Sequence, residues 1–395
     1  MADPVAWTFA PGGEYTETFD WLTDVLQAPT GGTQHRRLRQ SPRATLRFSA
    51  LESGACRRWM DVLLRAHSAA QWWVPIAIDA RALAVTAVAG ATTLVVAVQG
   101  ARFTQDGHVL IVGPDPRHCE VHRITALGEQ TLTLATGLSF SWGVGTTLYP
   151  VRLGRLSEPP QVGRFTADDS ALVSLQFRLE DPLDSSAAIP GATYRGYPVF
   201  DTLPPVWTSD PVWVPQRHIH VQDDTISTPW MTDTAGVALG TTTMQYAPDE
   251  TAAILTFRSI LFALAGRWAP LWVPSWIHDL SLAADVRAGQ RTIDIVGPLL
   301  STPSGALQAN RRDIRIALYT GAVWYRRITA VTSRGSRIER LTLDSRLPVA
   351  FTLTQVKMIS FITFSVQDAD TAVLRYFGPE VAQCQIVWRE LHHEL

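Results

Sequence analysis

The sequence's best candidate for metal chemistry is His218-Ile219-His220, followed by Asp223 and Asp224. On a strand, alternate residues share a face, so both imidazoles would point one way with the carboxylates close behind. Neutral imidazole and carboxylate are suitable zinc ligands. The competing reading is an exposed polar strand face opposite Ile219 and Val221, and no His pair lies near the start of the chain. The run His35 to Arg43 carries Arg36, Arg37, Arg39 and Arg43, which could hold phosphates or form a salt-bridged subunit interface. Trp72, Trp73, Trp272 and Trp276 could stack on sugar rings, but the repeated pair Trp73 and Trp272 is expected to be buried, anchoring the turn after each helix; Trp207, Trp213 and Trp230 suit an interface, where aromatics are enriched. The terminal His392-His393-Glu394 resembles a metalloprotease motif only superficially, because no second His follows at helical spacing. The sequence contains neither a nucleophile elbow nor a phosphate-cradling glycine loop ending in Lys-Ser/Thr. No catalytic, cofactor-binding or metal residue is therefore assigned, and the expectation is a protein that is not an enzyme.

Bulk properties agree with a folded protein that acts through surfaces. The 395 residues suffice for two or three domains, and 46% apolar with 18% charged residues excludes wholesale disorder. A net charge of −2 does not advertise a polyanionic partner, so sequence-specific nucleic-acid binding is not expected. Cys56, Cys119 and Cys384 are too few and scattered for a disulfide framework or zinc site. The N-terminus lacks the basic start and apolar core of a signal peptide, and no run is long enough for a membrane helix. Synthesis in the cytoplasm and no membrane partner are expected.

These residues must be positioned by a repeated frame. Trp73-Val74-Pro75 matches Trp272-Val273-Pro274, Leu83 matches Leu282, Gly90 matches Gly289 and Thr93 matches Thr292, all offset by 199 positions, as from 73 to 272. Such a period is too long for a solenoid and predicts one domain duplicated within the chain. In the first copy an alternating strand at 45–49 precedes Ser53, an expected helix cap. Cys56, Trp59, Met60, Leu63 and Leu64 then form one helical stripe. The second copy answers with a strand at 244–246, Asp249 as the expected cap and a helix bearing Ile254, Leu255, Leu261, Phe262 and Leu264. Gly266 and Pro270 are its stop signals. Short strands with glycine turns follow each Trp-Val-Pro, predicting small β-barrels. Each copy closes on an alternating strand, 173–179 and 384–389. The part of the second copy aligned with the arginine run, 236–246, has no basic residue, which favours the interface reading.

The strand–helix–Trp-Val-Pro order resembles the tail-tip (baseplate) proteins of long-tailed bacteriophages, the distal tail-like minor tail proteins. The stretch from Leu83 to Val151 adds to this, with Gly90-Ala-Thr-Thr-Leu-Val-Val, Gly107-His-Val-Leu-Ile, Glu120-Val-His-Arg-Ile-Thr and Gly145-Thr-Thr-Leu-Tyr-Pro. It is similar to small β-barrel modules of phage minor tail proteins. Arg195-Gly196-Tyr197-Pro198-Val199 has the same flavour.

The fold expected is mainly β and internally duplicated, each half a β-sandwich with one flanking α-helix and an inserted small barrel. The first repeat spans 1–185 with its barrel at about 83–155, a linker spans 186–210, and the second repeat spans 211–395 with its barrel at about 282–356. The resemblance implies a virion protein of the phage tail, assembled in the host cytoplasm. It would form a ring that joins the tail tube to hub or receptor-binding components. Six chains are favoured over three, because the halves have diverged and one alone carries the basic run. A tandem carbohydrate-binding protein is the alternative, since exposed tryptophans beside carboxylates or amides hold sugars.

Overall fold

The computed structural model describes residues 3–165, 170–182, 185–297, 300–302, 307–308, 310–335 and 337–392. The chain is mainly β, built on large antiparallel sheets, with two α-helices among the described residues. The central sheet runs in the order Gln161–Arg164, Ser170–Leu179, Arg43–Ser53, Tyr15–Asp20, Thr371–Gly378, Val381–Glu390, Leu239–Tyr246, Val212–Gln216. Every neighbouring pair is antiparallel. Its first four strands come from the N-terminal half and its last four from the C-terminal half.

Period-two burial explains why these segments are strands. Leu46, Phe48 and Ala50 of Arg43–Ser53 alternate inward, as do Val173, Leu175 and Phe177 of Ser170–Leu179. A one-residue slip would turn either row into solvent. Helix α1 (Gly54–His67) leaves its strand directly at Ser53, which has extended backbone but makes no side-chain capping bond. It buries Met60, Leu63 and Leu64, and Trp59 and Cys56 pack partly against the same core. Helix α2 (Thr251–Leu264) starts after Glu250 rather than the expected Asp249, and ends with Ala265 and Gly266 in the left-handed region. It is apolar nearly all round, as a helix covered on more than one side must be.

After each helix a short strand, Trp72–Pro75 or Leu271–Pro274, pairs antiparallel with the long strand Thr147–Leu156 or Val356–Gln367. Between those two elements each half builds a separate strand module with its own core. In the first, Leu94, Phe103, Val109, Ile124, Leu132 and Trp142 pack together. In the second, Ile293, Ile314, Ile328, Leu341, Phe351 and Ile359 do so. Each contains an isolated antiparallel bridge, Ala87–Trp142 in the first and Val286–Phe351 in the second.

Two expectations need correction. Trp72 is fully buried but Trp73 is only half-buried, its ring tilted against His108 with centroids 4.2 Å apart, whereas its match Trp272 is buried. The difference lies in what covers that face. Trp272 sits under Tyr194, Val199 and Phe364 and donates from Nε1 to the Tyr194 carbonyl at 2.9 Å. The second correction follows: the stretch read as a linker is packed. Val199 and Phe200 are buried, and Val199 runs parallel to Trp272 much as Val5–Ala6 runs parallel to Trp72-Trp73. Tyr194 also donates to Asp313 at 2.7 Å, and Arg327 holds the same carboxylate, tying this stretch to the second strand module.

Candidate assembly interface

Tyr15–Asp20 of the first half and Thr371–Gly378 of the second pair over six residues, from Tyr15 opposite Tyr376 to Asp20 opposite Thr371. This joint makes one continuous sheet of the two halves. Phe19 and Trp21, both buried, cross it and press edge-on against Phe262 of α2 at 5.2 and 5.7 Å. The Trp21 amide donates to the Asp370 carbonyl at 2.9 Å, and the Thr23 amide donates to the Asp370 carboxylate at 2.7 Å. These contacts account for the second covered face of α2.

Under the joint lies a buried polar cluster. Glu17, with no exposed surface, receives Arg102 directly, accepts from the Tyr376 hydroxyl at 3.0 Å and has Arg258 at 3.7 Å. Arg102 also binds Asp79. Three separate parts of the chain therefore meet at one carboxylate: the first strand module, the first half's sheet and the second half's helix and sheet. Burial alone would raise the Glu17 pKa, but Arg102 and Arg258 outweigh it and hold the group below its usual value. Burial, with Glu17 alongside, pushes the Tyr15 and Tyr376 hydroxyls well up, so both remain protonated.

The arginine run belongs to the same seam. His35, Arg36 and Arg37 lie on the hairpin Thr23–Gln27/Thr33–Arg37, which reaches over the second half. Arg37 lies 5.4 Å above the Trp268 ring, and Arg39 pairs with Asp20 at 3.5 Å. None of the four arginines is buried. Near the hairpin tip, Gln27 contacts His218 at 3.2 Å and the Pro29 carbonyl accepts from Thr234.

The remaining sequence candidates separate. His218 is occupied by Gln27, while His220 lies exposed on the hairpin Ile219–Gln222/Trp230–Asp233. Among the described residues, no three His, Cys, Asp or Glu side chains gather as metal ligands. His393 and Glu394 lie outside the described residues. Trp213 and Trp230 are exposed, as is Trp207. Trp207 and Trp213 line a pocket of about 210 Å³ with Asp279, Arg311 and Glu390, and Trp213 donates to Glu390 at 3.2 Å. No helix of the described residues is long and apolar enough to cross a membrane.

Sequence reading missed Glu17, Asp79, Arg102, Arg258 and Tyr376. The one signal was an acidic residue at an inward-facing position of the strand Tyr15–Asp20.

The sheet's two outer strands, Gln161–Arg164 and Val212–Gln216, have a partner on one side only among the described residues. Both are exposed along their whole length. Edge strands of proteins that remain single are blunted by charge, Pro, bulges or short length, and Pro215 is one such device here. Val212-Trp213-Val214-Pro215-Gln216 carries no charge, and its Val212, Trp213 and Val214 are 54%, 48% and 44% exposed. No protein-family model matches the chain, and no curated protein matches its sequence.

Proposed function

We propose that this chain is a structural component of a phage tail tip, a homo-oligomeric ring protein that joins the tail tube to hub or receptor-binding parts. Each half is one duplicated unit: a β-sandwich with a flanking helix and an inserted small barrel. Matching registers support the duplication. Trp73 faces Leu153 and Trp272 faces Phe364; Gly154 faces Leu179 and Ser365 faces Glu390; Ala50 faces Val173 and Tyr246 faces Cys384. Carrying these pairs through sets each strand of one half against its counterpart in the other.

The observation that carries the assembly reading is the joint itself. It brings together strands that are not counterparts: Tyr15–Asp20 corresponds to Val212–Gln216, and Thr371–Gly378 to Gln161–Arg164. A head-to-tail contact of this kind makes a ring where its rotation closes and an open filament where it does not; the ring is the form the tail-tip reading requires. The phage assignment rests on the resemblance of the Trp-Val-Pro order and the barrel modules, and no enzymatic role is proposed. Its test is immunogold imaging of intact particles with antibody against this chain. Label at the tail end supports the reading, and label elsewhere or absent removes it.

The pocket beside Trp207 and Trp213 favours a second reading, carbohydrate binding, because aromatic faces stand beside Asp279 and Glu390. The matching place in the first half is filled by Tyr15, Glu17 and Arg102, so tandem sugar sites are not supported. Glycan binding by the isolated protein would restore that reading.

A further inference from the structure

The register of the joint between the halves specifies how one chain meets the next. Ala50 and Tyr246 are counterparts, and four residues earlier stand Leu46 and Thr242. Glu17 faces Leu46 and Trp213 faces Thr242, so Trp213 holds the position of Glu17. By the same steps Val162, which faces Val173, holds the position of Leu374, which faces Cys384. Arg164 then holds the position of Tyr376.

In the joint, Thr18 faces Val373, Glu17 faces Leu374 and Thr16 faces Arg375. We propose that Val212–Gln216 of one chain pairs antiparallel with Gln161–Arg164 of a second copy in this same register. Val214 then lies opposite Gln161, Trp213 opposite Val162 and Val212 opposite Gly163. Pro215 falls opposite Pro160, where neither residue has an N–H to give, and the ladder stops. Each chain supplies two units, so a closed ring built on this contact holds an even number of units and half as many chains. This inference rests on the ring reading above.

Three features outside the strand edges agree. Beside Gln161–Arg164 lies an open groove of about 680 Å³ lined by Asp61, Leu64, Arg65, Pro159, Val162 and Arg164. It occupies, between α1 and the sheet edge, the place where Phe19 and Trp21 enter between α2 and Asp370 in the joint. By the same register Pro215 and Arg217 of the incoming edge hold the positions of Phe19 and Trp21 and would enter it. Second, Phe165 next to that edge is 65% exposed among the described residues. Third, charge is complementary. In the joint, Tyr376 reaches across to Glu17. Its counterpart Arg164 is half exposed, 3.7 Å from Asp61, and would arrive beside Trp213, where Glu390 and Asp279 line the pocket.

The test uses full-length protein carrying either Val214→Cys or Gln161→Cys, both at exposed positions. Directly opposed residues in an antiparallel pair have Cα atoms ~4.5–5.5 Å apart, within disulfide reach. Mixed under mild oxidation, the two proteins are expected to form a disulfide with each other at several times the level of either alone. The double variant should give a reducible covalent species that closes at one fixed number of chains by native mass. Val162→Asp, at the exposed position opposite Trp213, should dissociate the ring while its melting temperature stays within a degree or two of the parent. An assembled ring without the mixed disulfide overturns the pairing while leaving the ring intact. A chain that is monomeric at every concentration removes the ring reading itself.

Discussion

Glu17→Gln is the sharpest probe of the joint, because it removes one charge and almost no volume. Glu17 is fully buried and faces Arg102, Arg258 and Tyr376. Removing one partner of a buried ion pair costs about 3–5 kcal/mol, since the other is left uncompensated. Arg102 retains Asp79, and Arg258 retains the Phe19 ring at 5.6 Å, which places the loss near the lower end, about 3 kcal/mol. For units of this size that is about 6–12 °C in melting temperature. The parent should also lose stability in acid. The folded Glu17 pKa lies below the unfolded value of about 4.5. As pH falls, the unfolded state therefore takes up the proton first. The stabilisation is complete above about pH 5 and is lost as pH falls through the folded value. Glu17→Gln should flatten that part of the profile. Calorimetry at pH 7 and at several values down to about pH 3 measures both effects. A loss under about 1 kcal/mol, or an unchanged acid slope in the variant, would refute the assignment of Glu17 as the charge that holds the halves together.

Other side chains grade by cover. Trp272→Ala should cost about 3–5 kcal/mol in denaturant titration, Trp73→Ala distinctly less, and Arg36→Ala less than about 0.5 kcal/mol; equal losses at all three would contradict the burial described. Phe262→Ala, emptying the slot that receives Phe19 and Trp21, should also cost about 3–5 kcal/mol and split or broaden the melt, whereas an unchanged single transition would show that the halves do not couple there. Burial pushes the Cys384 thiol up to about 12, so it should resist a thiol reagent at pH 8 until the chain is unfolded; prompt labelling of Cys384 in the native protein would place it at the surface.

Local pattern carried much of the fold. Alternation in Ser170–Leu179, the stripe on α1 and the repeated Trp-Val-Pro were all legible, because each depends on residues within one turn or one strand. Helix α2 held a clue of another kind. Thr-Ala-Ala-Ile-Leu-Thr-Phe-Arg-Ser-Ile-Leu-Phe-Ala-Leu has no clean polar face, the mark of a helix covered on more than one side. The seam itself was not legible. Glu17, Asp79, Arg102, Arg258 and Tyr376 are scattered over most of the chain, and their pairing is created only when Tyr15–Asp20 meets Thr371–Gly378. The linker reading failed for a similar reason. Pro, Ser, Gly and Asp mark turns, but Tyr194, Val199 and Phe200 among them are fixed by a partner strand and by Asp313, both remote in sequence. Trp73 and Trp272 match in type, yet only the second has that cover.

The most direct test of the account is the symmetry of the assembled particle, imaged at a resolution that separates strands. The account predicts a closed ring in which each chain contributes two similar β units, with Val212–Gln216 of each lying against Gln161–Arg164 of its neighbour. A ring in which both edges face solvent, or one in which six chains each place a single half at the ring, would contradict it.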